Sequence, residues 1–258
     1  PMIFWELGCK VISIGNQPDG RNINYRCGAI DIKQLSKKVL DTKSDIGFAF
    51  DGDGDRVIIV DEKGNEIDGD KILALLTKEL IKNNKLNKRT VVSTIMSNLG
   101  FENYLNEILD VKLIRTAVGD INVIKEMQDN LYSLGGEQSG HIIIGEYSKT
   151  GDGILVALKI LEILYKSKLK TSELFNVYNS YPQKKINLPL SKKLNKNMND
   201  NIQNLNENFQ KKNSHLRSIV RESGTESLLR LLVEGKDEKE VIKEINNLSN
   251  NIKEIINV

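Results

Sequence analysis

Apolar runs of strand length alternate with segments of helical spacing through the middle of the chain, and this alternation restricts the fold more than any other feature. Residues 90–94 and 111–115 are strand-like. Helical spacing is found at residues 71–81, 100–109 and 119–130. Strands that alternate with helices are typical of α/β architecture.

The first third of the chain carries the same two kinds of pattern. Residues 3–7 predict a helical turn that ends at Gly8, and residues 11–14 predict a short buried strand. A helix is predicted over residues 32–40. Residues 46–50 and 57–60 then predict two strands that flank an acidic loop.

Beyond the alternating region, a helix opens at Asp152 whose apolar residues surround it, which predicts a helix buried in the core. Lysine-rich residues 184–196 predict a linker. A smaller α+β domain is expected after it, in the order helix, strand, strand, helix, at residues 198–211, 218–220, 228–233 and 237–255.

Charge and composition exclude several classes of protein. The 258 residues include 37 Lys+Arg and 35 Asp+Glu, so the chain has no large positive charge that would favour binding to nucleic acid. No apolar run approaches the ~20 residues that a membrane-spanning helix needs. Only Cys9 and Cys27 are present, which excludes a disulfide framework, and no signal peptide is visible. We therefore expect a cytoplasmic protein without nucleic-acid or membrane partners.

The sharpest local signal is the acidic loop that follows the strand at residues 46–50. Asp51, Asp53 and Asp55 alternate with glycines, so a flexible backbone lets three carboxylates converge on one hard cation. Without a cation or protons these carboxylates repel one another. The loop predicts a metal site, and the alternative is a solvated acidic turn.

Two specific alternatives apply to the same loop. An EF-hand-like calcium loop would use Glu62 at its twelfth position, but Arg56 replaces the required glycine and strands, not helices, flank the loop. A haloacid-dehalogenase type of phosphotransfer would use Asp51 as nucleophile and Asp53 as its acid/base partner.

A second polar loop follows two glycines at 135 and 136. Glu137 accepts hydrogen bonds from vicinal hydroxyls, Ser139 donates or accepts, and His141 titrates near neutral pH, so the set suits a polyol. The alternative is a hairpin with incidental polar residues, in which His141 is structural.

A third loop, at residues 221–226, suits a phosphate. It offers the Arg221 guanidinium, the hydroxyls of Ser223 and Thr225, and successive backbone amides around Gly224. An ordinary turn gives the same pattern. Arg230 is expected to be a charge on a strand face.

Metal, polyol and phosphate loops in one chain predict an enzyme that acts on a phosphorylated sugar. The sequence closely resembles the α-D-phosphohexomutase superfamily, in motifs that recur in order along the chain. They are DGRNIN (19–24), FAFDGDGDRV (48–57), VVSTIMSNLG (91–100), GGEQSGHII (135–143), TGDGI (150–154) and RESGTES (221–227).

This resemblance implies roles for the residues of the three loops. Asp51, Asp53 and Asp55 would bind Mg²⁺, and Glu137 and Ser139 would hold sugar hydroxyls. His141 becomes a candidate acid/base. The substrate phosphate would be held by Arg221, Ser223, Gly224 and Thr225.

The resemblance also implies the fold and the reaction. The chain would contain part of a second and all of a third α/β domain, at residues 1–67 and 68–181, followed by a smaller α+β domain at residues 186–258. The implied reaction is the interconversion of glucosamine 6-phosphate and glucosamine 1-phosphate, through a phosphoserine and a bisphosphate intermediate. The partners would be a phosphorylated hexosamine and a missing N-terminal domain.

Some features depart from the superfamily. The phosphoserine loop, which belongs to an N-terminal domain, is absent, and the one Ser-His pair, Ser214-His215, has no suitable context, so the isolated chain is expected to be inactive. Ile121 and Ser227 replace a common arginine and proline. Three other functions remain open: another phosphohexomutase, for mannose or glucose phosphates, a non-catalytic remnant that binds phosphosugar, and a haloacid-dehalogenase-type phosphatase.

Overall fold

The computed structural model describes residues 1–191, 193–223 and 226–256. Contacts divide the chain into two compact units. The first unit contains Pro1–Ser97 and Tyr104–Tyr178, and the second contains Asn98–Asn103 and the chain from Asn179 onward. The predicted division into domains at residues 1–67, 68–181 and 186–258 stays a prediction.

The first unit begins with a three-stranded antiparallel sheet in the order β1-β2-β3. Its elements are α1 (Met2–Glu6), α2 (Lys33–Thr42), β1 (Ile46–Phe50), β2 (Val57–Asp61) and β3 (Glu66–Ile67). Every residue of β2 is buried, because β2 is the central strand and its apolar side chains are covered on both faces. The β1–β2 hairpin carries residues 51–56 at its turn.

A four-stranded sheet in the order β5-β4-β6-β7 forms the rest of the first unit. Its strands are β4 (Thr90–Thr94), β5 (Lys112–Thr116), β6 (Leu134–Gly136) and β7 (Ile142–Ile144). Its helices are α3 (Gly69–Lys82), α5 (Asp120–Asn130), α6 (Gly153–Ser167) and α7 (Thr171–Leu174). Buried β4 is parallel to β5 and β6, which requires crossover connections, and the predicted α/β alternation is confirmed.

The helix predicted over residues 100–109 is interrupted. It consists of α4 (Leu99–Asn103) followed by a π-helical turn at Tyr104–Ile108, and the division between the two units falls between them. Gly100 packs so closely that a Cβ there would lie 2.6 Å from the carbonyl oxygen of Asn179. The close approach within the second unit therefore depends on this glycine.

The second unit contains a three-stranded antiparallel sheet in the order β8-β10-β9. Its elements after residue 179 are β8 (Gln183–Pro189), α8 (Lys196–Lys212), β9 (Arg217–Glu222), β10 (Leu228–Glu234) and α9 (Glu238–Ile256). The core contains Leu188, Ile202, Leu231 and Ile252, all less than 4 % exposed. The α+β order predicted for this region is confirmed.

The structure corrects three of the predictions. The linker expected at 184–196 is wrong in its first part, because residues 183–189 form the edge strand β8. Leu188 and Ile186, two residues apart on the same face of this strand, pack on the core. Residues 11–14 form no strand. Helix α6 is buried on one face only, with Ile154 at 44 % and Tyr165 at 86 % exposure.

Candidate active site

The acidic loop is the turn of the β1–β2 hairpin, and its own backbone holds Asp51. The Oδ1 atom of Asp51 accepts hydrogen bonds from the amides of Gly54 (3.1 Å) and Arg56 (3.2 Å). The Nε atom of Arg56 lies 3.8 Å from Oδ2 of Asp51. Gly54 has a φ of +75°, which glycine adopts at no steric cost and which brings its amide round to Asp51.

Asp55, at the end of the acidic loop, contacts His141 of a second hairpin, which is formed by β6 and β7. Its Oδ2 atom lies 2.9 Å from Nδ1 of His141, and its buried Oδ1 atom has no hydrogen-bond partner among the described residues. Burial and the neighbouring Asp51 carboxyl raise the pKa of Asp55, and His141 opposes that rise. The Asp51 and Asp55 carboxyls are therefore neighbours, and they repel each other unless a proton or a cation neutralises one of them.

Asp53 lies at the exposed tip of the hairpin. Within residues 1–191, 193–223 and 226–256, no three His, Cys, Asp or Glu side chains are grouped in a way that could hold a metal ion. The structure thus brings Asp51 and Asp55 together, and the three-aspartate metal site stays a prediction.

The polyol loop is the turn of the β6–β7 hairpin. Glu137 is 8 % exposed, and its Oε1 atom accepts a hydrogen bond from the amide of Gly119 (3.1 Å). Exposed Ser139 donates through Oγ to Oε2 of Glu137 at 3.4 Å. The carboxylate of Glu137 and the hydroxyl of Ser139 therefore lie side by side, and their binding of sugar hydroxyls stays a prediction.

Backbone hydrogen bonds join these two hairpins to each other. The amide of Val57 donates to the carbonyl oxygen of Gly140 (3.0 Å), and Arg56 and His141 form an antiparallel bridge. From a third segment, the amide of Gly153 donates to the carbonyl oxygen of Gly54 (2.9 Å). The predicted metal and sugar loops thus lie against each other within the first unit.

His141 is 1 % exposed, and its Nε2 atom is buried with no partner in the part of the chain that the structure describes. The candidate acid/base therefore has one nitrogen on Asp55 and the other enclosed by protein. Its role as a proton carrier stays a prediction.

The predicted phosphate loop belongs to the second unit and is described by itself. Arg221 is in β9, opposite Arg230 in β10, and the amide of Ser223 donates to the carbonyl oxygen of Leu228 (2.8 Å). Gly224 and Thr225 lie outside the described residues. Arg230 pairs with Glu226, in agreement with its expected place on a strand face.

Supporting residues that the sequence did not single out lie behind the sugar loop. Buried Ser93 in β4 donates through Oγ to the carbonyl oxygen of Gly136 (2.6 Å) and contacts the hydroxyl of Ser97 at 2.5 Å. Gly119 holds Glu137, as described above. Ser93 and Ser97 lie in the VVSTIMSNLG motif and Gly119 at the start of a predicted helix, but no local pattern assigned any of them a role.

The structure also bears on the alternatives for the acidic loop. Glu62, the twelfth residue of the EF-hand alternative, accepts hydrogen bonds from the amide (2.9 Å) and hydroxyl (2.6 Å) of Ser172, and strands flank the loop. The loop joins antiparallel strands in a hairpin. His215 of the Ser-His pair is an exposed residue that contacts Glu240 at 2.9 Å.

Sequence profiles of known protein families match almost all of the chain. They are described as phosphoglucomutase/phosphomannomutase alpha/beta/alpha domain II (residues 2–64), alpha/beta/alpha domain III (residues 68–181) and C-terminal domain (residues 185–247). The chain belongs to the phosphoglucomutase/phosphomannomutase family. The order of the matches is that of the three regions expected from the sequence.

Relatives within this family carry more specific names. The chain is 47% identical over 239 residues to phosphoglucosamine mutase of Sulfurovum sp. (strain NBC37-1), covering 93% of this chain and 53% of that protein. The chain thus spans about half the length of the curated relatives it matches.

Solved structures of family members share the fold. A phosphoglucomutase/phosphomannomutase family protein from Burkholderia thailandensis aligns with a TM-score of 0.80 at 20% identity, over 98% of this chain and 57% of that one. N-acetylphosphoglucosamine mutase of Aspergillus fumigatus, solved with GlcNAc-6P and magnesium, aligns with a TM-score of 0.68 at 19% identity, over 90% and 54% of the two chains.

Proposed function

We propose that this chain supplies the metal, sugar and phosphate loops of a phosphoglucosamine mutase, which interconverts glucosamine 6-phosphate and glucosamine 1-phosphate. The observation that carries this proposal is the contact between the β1–β2 hairpin, with the acidic loop, and the β6–β7 hairpin, with the sugar loop. It occurs in a chain that is 47% identical to a phosphoglucosamine mutase. Metal and sugar-hydroxyl ligands are needed side by side when a phosphoryl group moves between oxygens of one sugar.

Magnesium fits the donors of the acidic loop. Asp51, Asp53 and Asp55 would hold it, because carboxylate oxygens are the ligands this hard cation prefers, and Asp55 leaves one buried oxygen without a protein partner in the described chain. When bound, Mg²⁺ stabilises the negative charge of the phosphoryl oxygens.

Residues of this chain would bind and orient the sugar. Glu137 accepts hydrogen bonds from hydroxyls, and Ser139 donates one or accepts one, so that the reacting oxygen is held in place. Arg221, Ser223, Gly224 and Thr225 would hold the phosphate that is not transferred. The sugar bisphosphate formed by transfer from the phosphoserine would then leave this loop and rebind in the reversed orientation, and its other phosphoryl group would return to the serine.

The phosphoryl donor would come from a phosphoserine outside this chain, in the N-terminal domain that the length of the relatives implies. We therefore expect no turnover by the isolated chain. A cytoplasmic location also stays a prediction.

A fusion protein tests this function. The segment of the Sulfurovum enzyme that precedes its match to this chain would be joined to Pro1, and phosphate transfer followed by ³¹P NMR with glucosamine, glucose and mannose phosphates. We expect turnover that is fastest with glucosamine phosphate and that is lost in E137Q. The native Sulfurovum enzyme is the positive control, and circular dichroism checks the fold.

Three outcomes would favour the alternatives. Faster turnover of mannose or glucose phosphate would make the protein another phosphohexomutase. If a folded fusion bound glucosamine 6-phosphate without turnover, the chain would be a non-catalytic phosphosugar-binding protein. A beryllium fluoride adduct at Asp51 would favour the haloacid-dehalogenase mechanism.

A further inference from the structure

We propose that His141 is a positioning residue for the metal loop, which fixes Asp55 so that one carboxylate oxygen is presented to the cation, and that Gly151 and Gly153 hold this pair in place. The inference rests on the metal site of the proposed function. It assigns a task to the TGDG segment, for which the mechanism above has no use.

The first argument is the division of labour between the two oxygens of Asp55. The Nδ1 atom of His141 lies 2.9 Å from Oδ2 of Asp55, so the imidazole occupies one of the two carboxylate oxygens. The Oδ1 atom is buried and has no partner among the described residues. The imidazole therefore satisfies one oxygen and leaves the other for a metal ion, as outer partners of metal ligands commonly do.

The second argument is the enclosure of the imidazole. A Cβ at position 151 would lie 2.5 Å from both Cε1 and Nε2 of His141, so the backbone of Gly151 packs directly on the ring. The closely packed backbone of Gly151 therefore restricts displacement of the ring on that side, and only a residue without a Cβ fits there. The 1 % exposure of His141 follows from this packing.

The third argument is the attachment of the TGDG segment to the metal loop itself. The amide of Gly153 donates to the carbonyl oxygen of Gly54, and a Cβ at position 153 would lie 2.6 Å from the carbonyl oxygen of Arg56. Asp152 accepts a hydrogen bond from the amide of Leu155 (2.9 Å) and so caps α6. The rigid helix start thus fixes the segment that covers both His141 and the loop.

Positioning explains the enclosed imidazole better than proton transfer does. A general acid or base must reach the transferred proton directly or through one water. The Nε2 atom of His141 is buried without a partner in the described chain, and Nδ1 faces Asp55. The ring contacts a proposed metal ligand, not solvent.

Metal binding by this chain tests the inference without activity. Mn²⁺ would be titrated into the isolated chain up to millimolar concentrations and the free ion followed by electron paramagnetic resonance, with Mg²⁺ in competition. H141N places an amide donor where Nδ1 lies, whereas H141Q places it where Nε2 lies. We expect H141N to bind within about threefold of the wild type, and H141Q and H141A to bind about 10-fold to 100-fold more weakly.

Three further variants extend the test, and one of them, H215N, is the control. D55N should bind as weakly as H141A, and H215N, at the exposed histidine paired with Glu240, should bind like the wild type. G151A should weaken binding through displacement of the imidazole. Thermal unfolding of each variant separates a local effect from loss of the fold.

Equal Mn²⁺ affinity of wild type, H141N, H141Q and H141A would overturn the positioning role and leave the proposed mutase function intact. Absence of Mn²⁺ binding by the wild-type chain would also overturn it. Turnover of glucosamine phosphate by the fusion protein, measured separately, reports on the proposed function alone.

Discussion

Single side chains fix the ends of the elements that carry the site, and Asp68 is the clearest case. Its Oδ1 atom accepts a hydrogen bond from the amide of Lys71 (3.1 Å) and so caps α3. Its Oδ2 atom accepts one from Nε2 of Gln138 (3.2 Å), in the turn that carries Glu137. One carboxylate thus links a helix start to the proposed sugar loop.

Removal of this cap should destabilise the first unit. We expect D68A to lower the free energy of unfolding by about 1 to 2 kcal/mol, and D68N, which keeps an acceptor oxygen, to lower it by less. Urea unfolding followed by circular dichroism measures both. Equal stability of D68A and the wild type would show that the cap contributes nothing.

In the second unit, Glu234 is a buried carboxylate that links neighbouring side chains, as Asp68 links two segments of the first unit. It is 0 % exposed, pairs with Arg217, and accepts a hydrogen bond from Nε2 of Gln183 (2.5 Å). E234A takes the carboxylate away from the half-buried guanidinium and should cost about 3 to 5 kcal/mol in unfolding free energy.

The exposed pair of Glu226 and Arg230 provides the matched control for Glu234. E226Q should cost less than about 1 kcal/mol, because water screens an exposed ion pair. Thermal unfolding of both variants gives the comparison. If E234A lowered the unfolding free energy by no more than E226Q does, burial of the Glu234 carboxylate would not explain a larger contribution to stability.

At the scale of elements, β8 shows how a polar, lysine-rich segment becomes part of a sheet. Its residues pair with β10 from Gln183 to Pro189, and only Leu188 is buried. The opposite edge of β8 is unpaired in the described sheet, which explains its lysines and terminal proline, since both oppose further pairing.

Hydrogen exchange distinguishes the strand from the linker that the sequence predicts. We expect alternate amides of residues 184–188 to be protected, because in an edge strand only every second amide faces the neighbouring strand. Exchange of all these amides at the rate of an unstructured peptide would contradict the strand.

Helix α6 carries an ion-pair triad on its exposed side. Lys166 and Lys159 contact the carboxylate of Glu162 at 2.5 Å and 2.9 Å, and these hydrogen bonds lower the pKa of Glu162 to about 2. A carboxyl whose pKa is lower in the folded state stabilises the fold above its unfolded value of 4.5 and loses that contribution as pH falls toward 2.

We therefore expect E162Q to be less stable than the wild type at pH 7, by no more than about 1 kcal/mol, because the triad is exposed and screened. The difference should shrink as pH falls below 4.5 toward 2. Thermal unfolding of both proteins between pH 7 and pH 3 measures it. A difference that grows on acidification would have the wrong sign.

At the scale of the whole molecule, the first residues present an apolar surface. Met2, Trp5, Ile23 and Ile30 are each more than half exposed, and β1 is an edge strand of its sheet. Coverage of these side chains by another segment is a prediction, which the fluorescence of Trp5 tests. In the described part of the chain, no helix is long and apolar enough to cross a bilayer.

Trp5 reports on this surface, because it is the one tryptophan of the sequence and is 53% exposed. We expect its fluorescence maximum to lie near that of tryptophan in water for this chain, and to shift to shorter wavelength in the fusion with the Sulfurovum segment. W5F, which removes the signal, is the control. The same maximum in both proteins would show that the added segment does not cover Trp5.

The extent of the sequence prediction can be judged from particular elements. Strands β1 and β2 and helix α3 follow from local hydrophobic spacing, and all three were predicted. Strand β8 was not predicted, because a lysine-rich alternating segment is equally typical of a linker. Its pairing with β10 is what makes it a strand. Likewise, residues 11–14 are apolar, but no strand pairs with them in the described chain.

The sequence by itself determined the family, the order of α and β elements and the composition of the three loops, because hydrophobic period, turn residues and motif spacing are local properties. Only the tertiary structure decided which loops meet. Asp55 and His141 are 86 positions apart, and their contact depends on the packing of two hairpins. The tasks of Gly151 and Gly153 were equally invisible, because the absence of a side chain has meaning only where another part of the backbone needs its space.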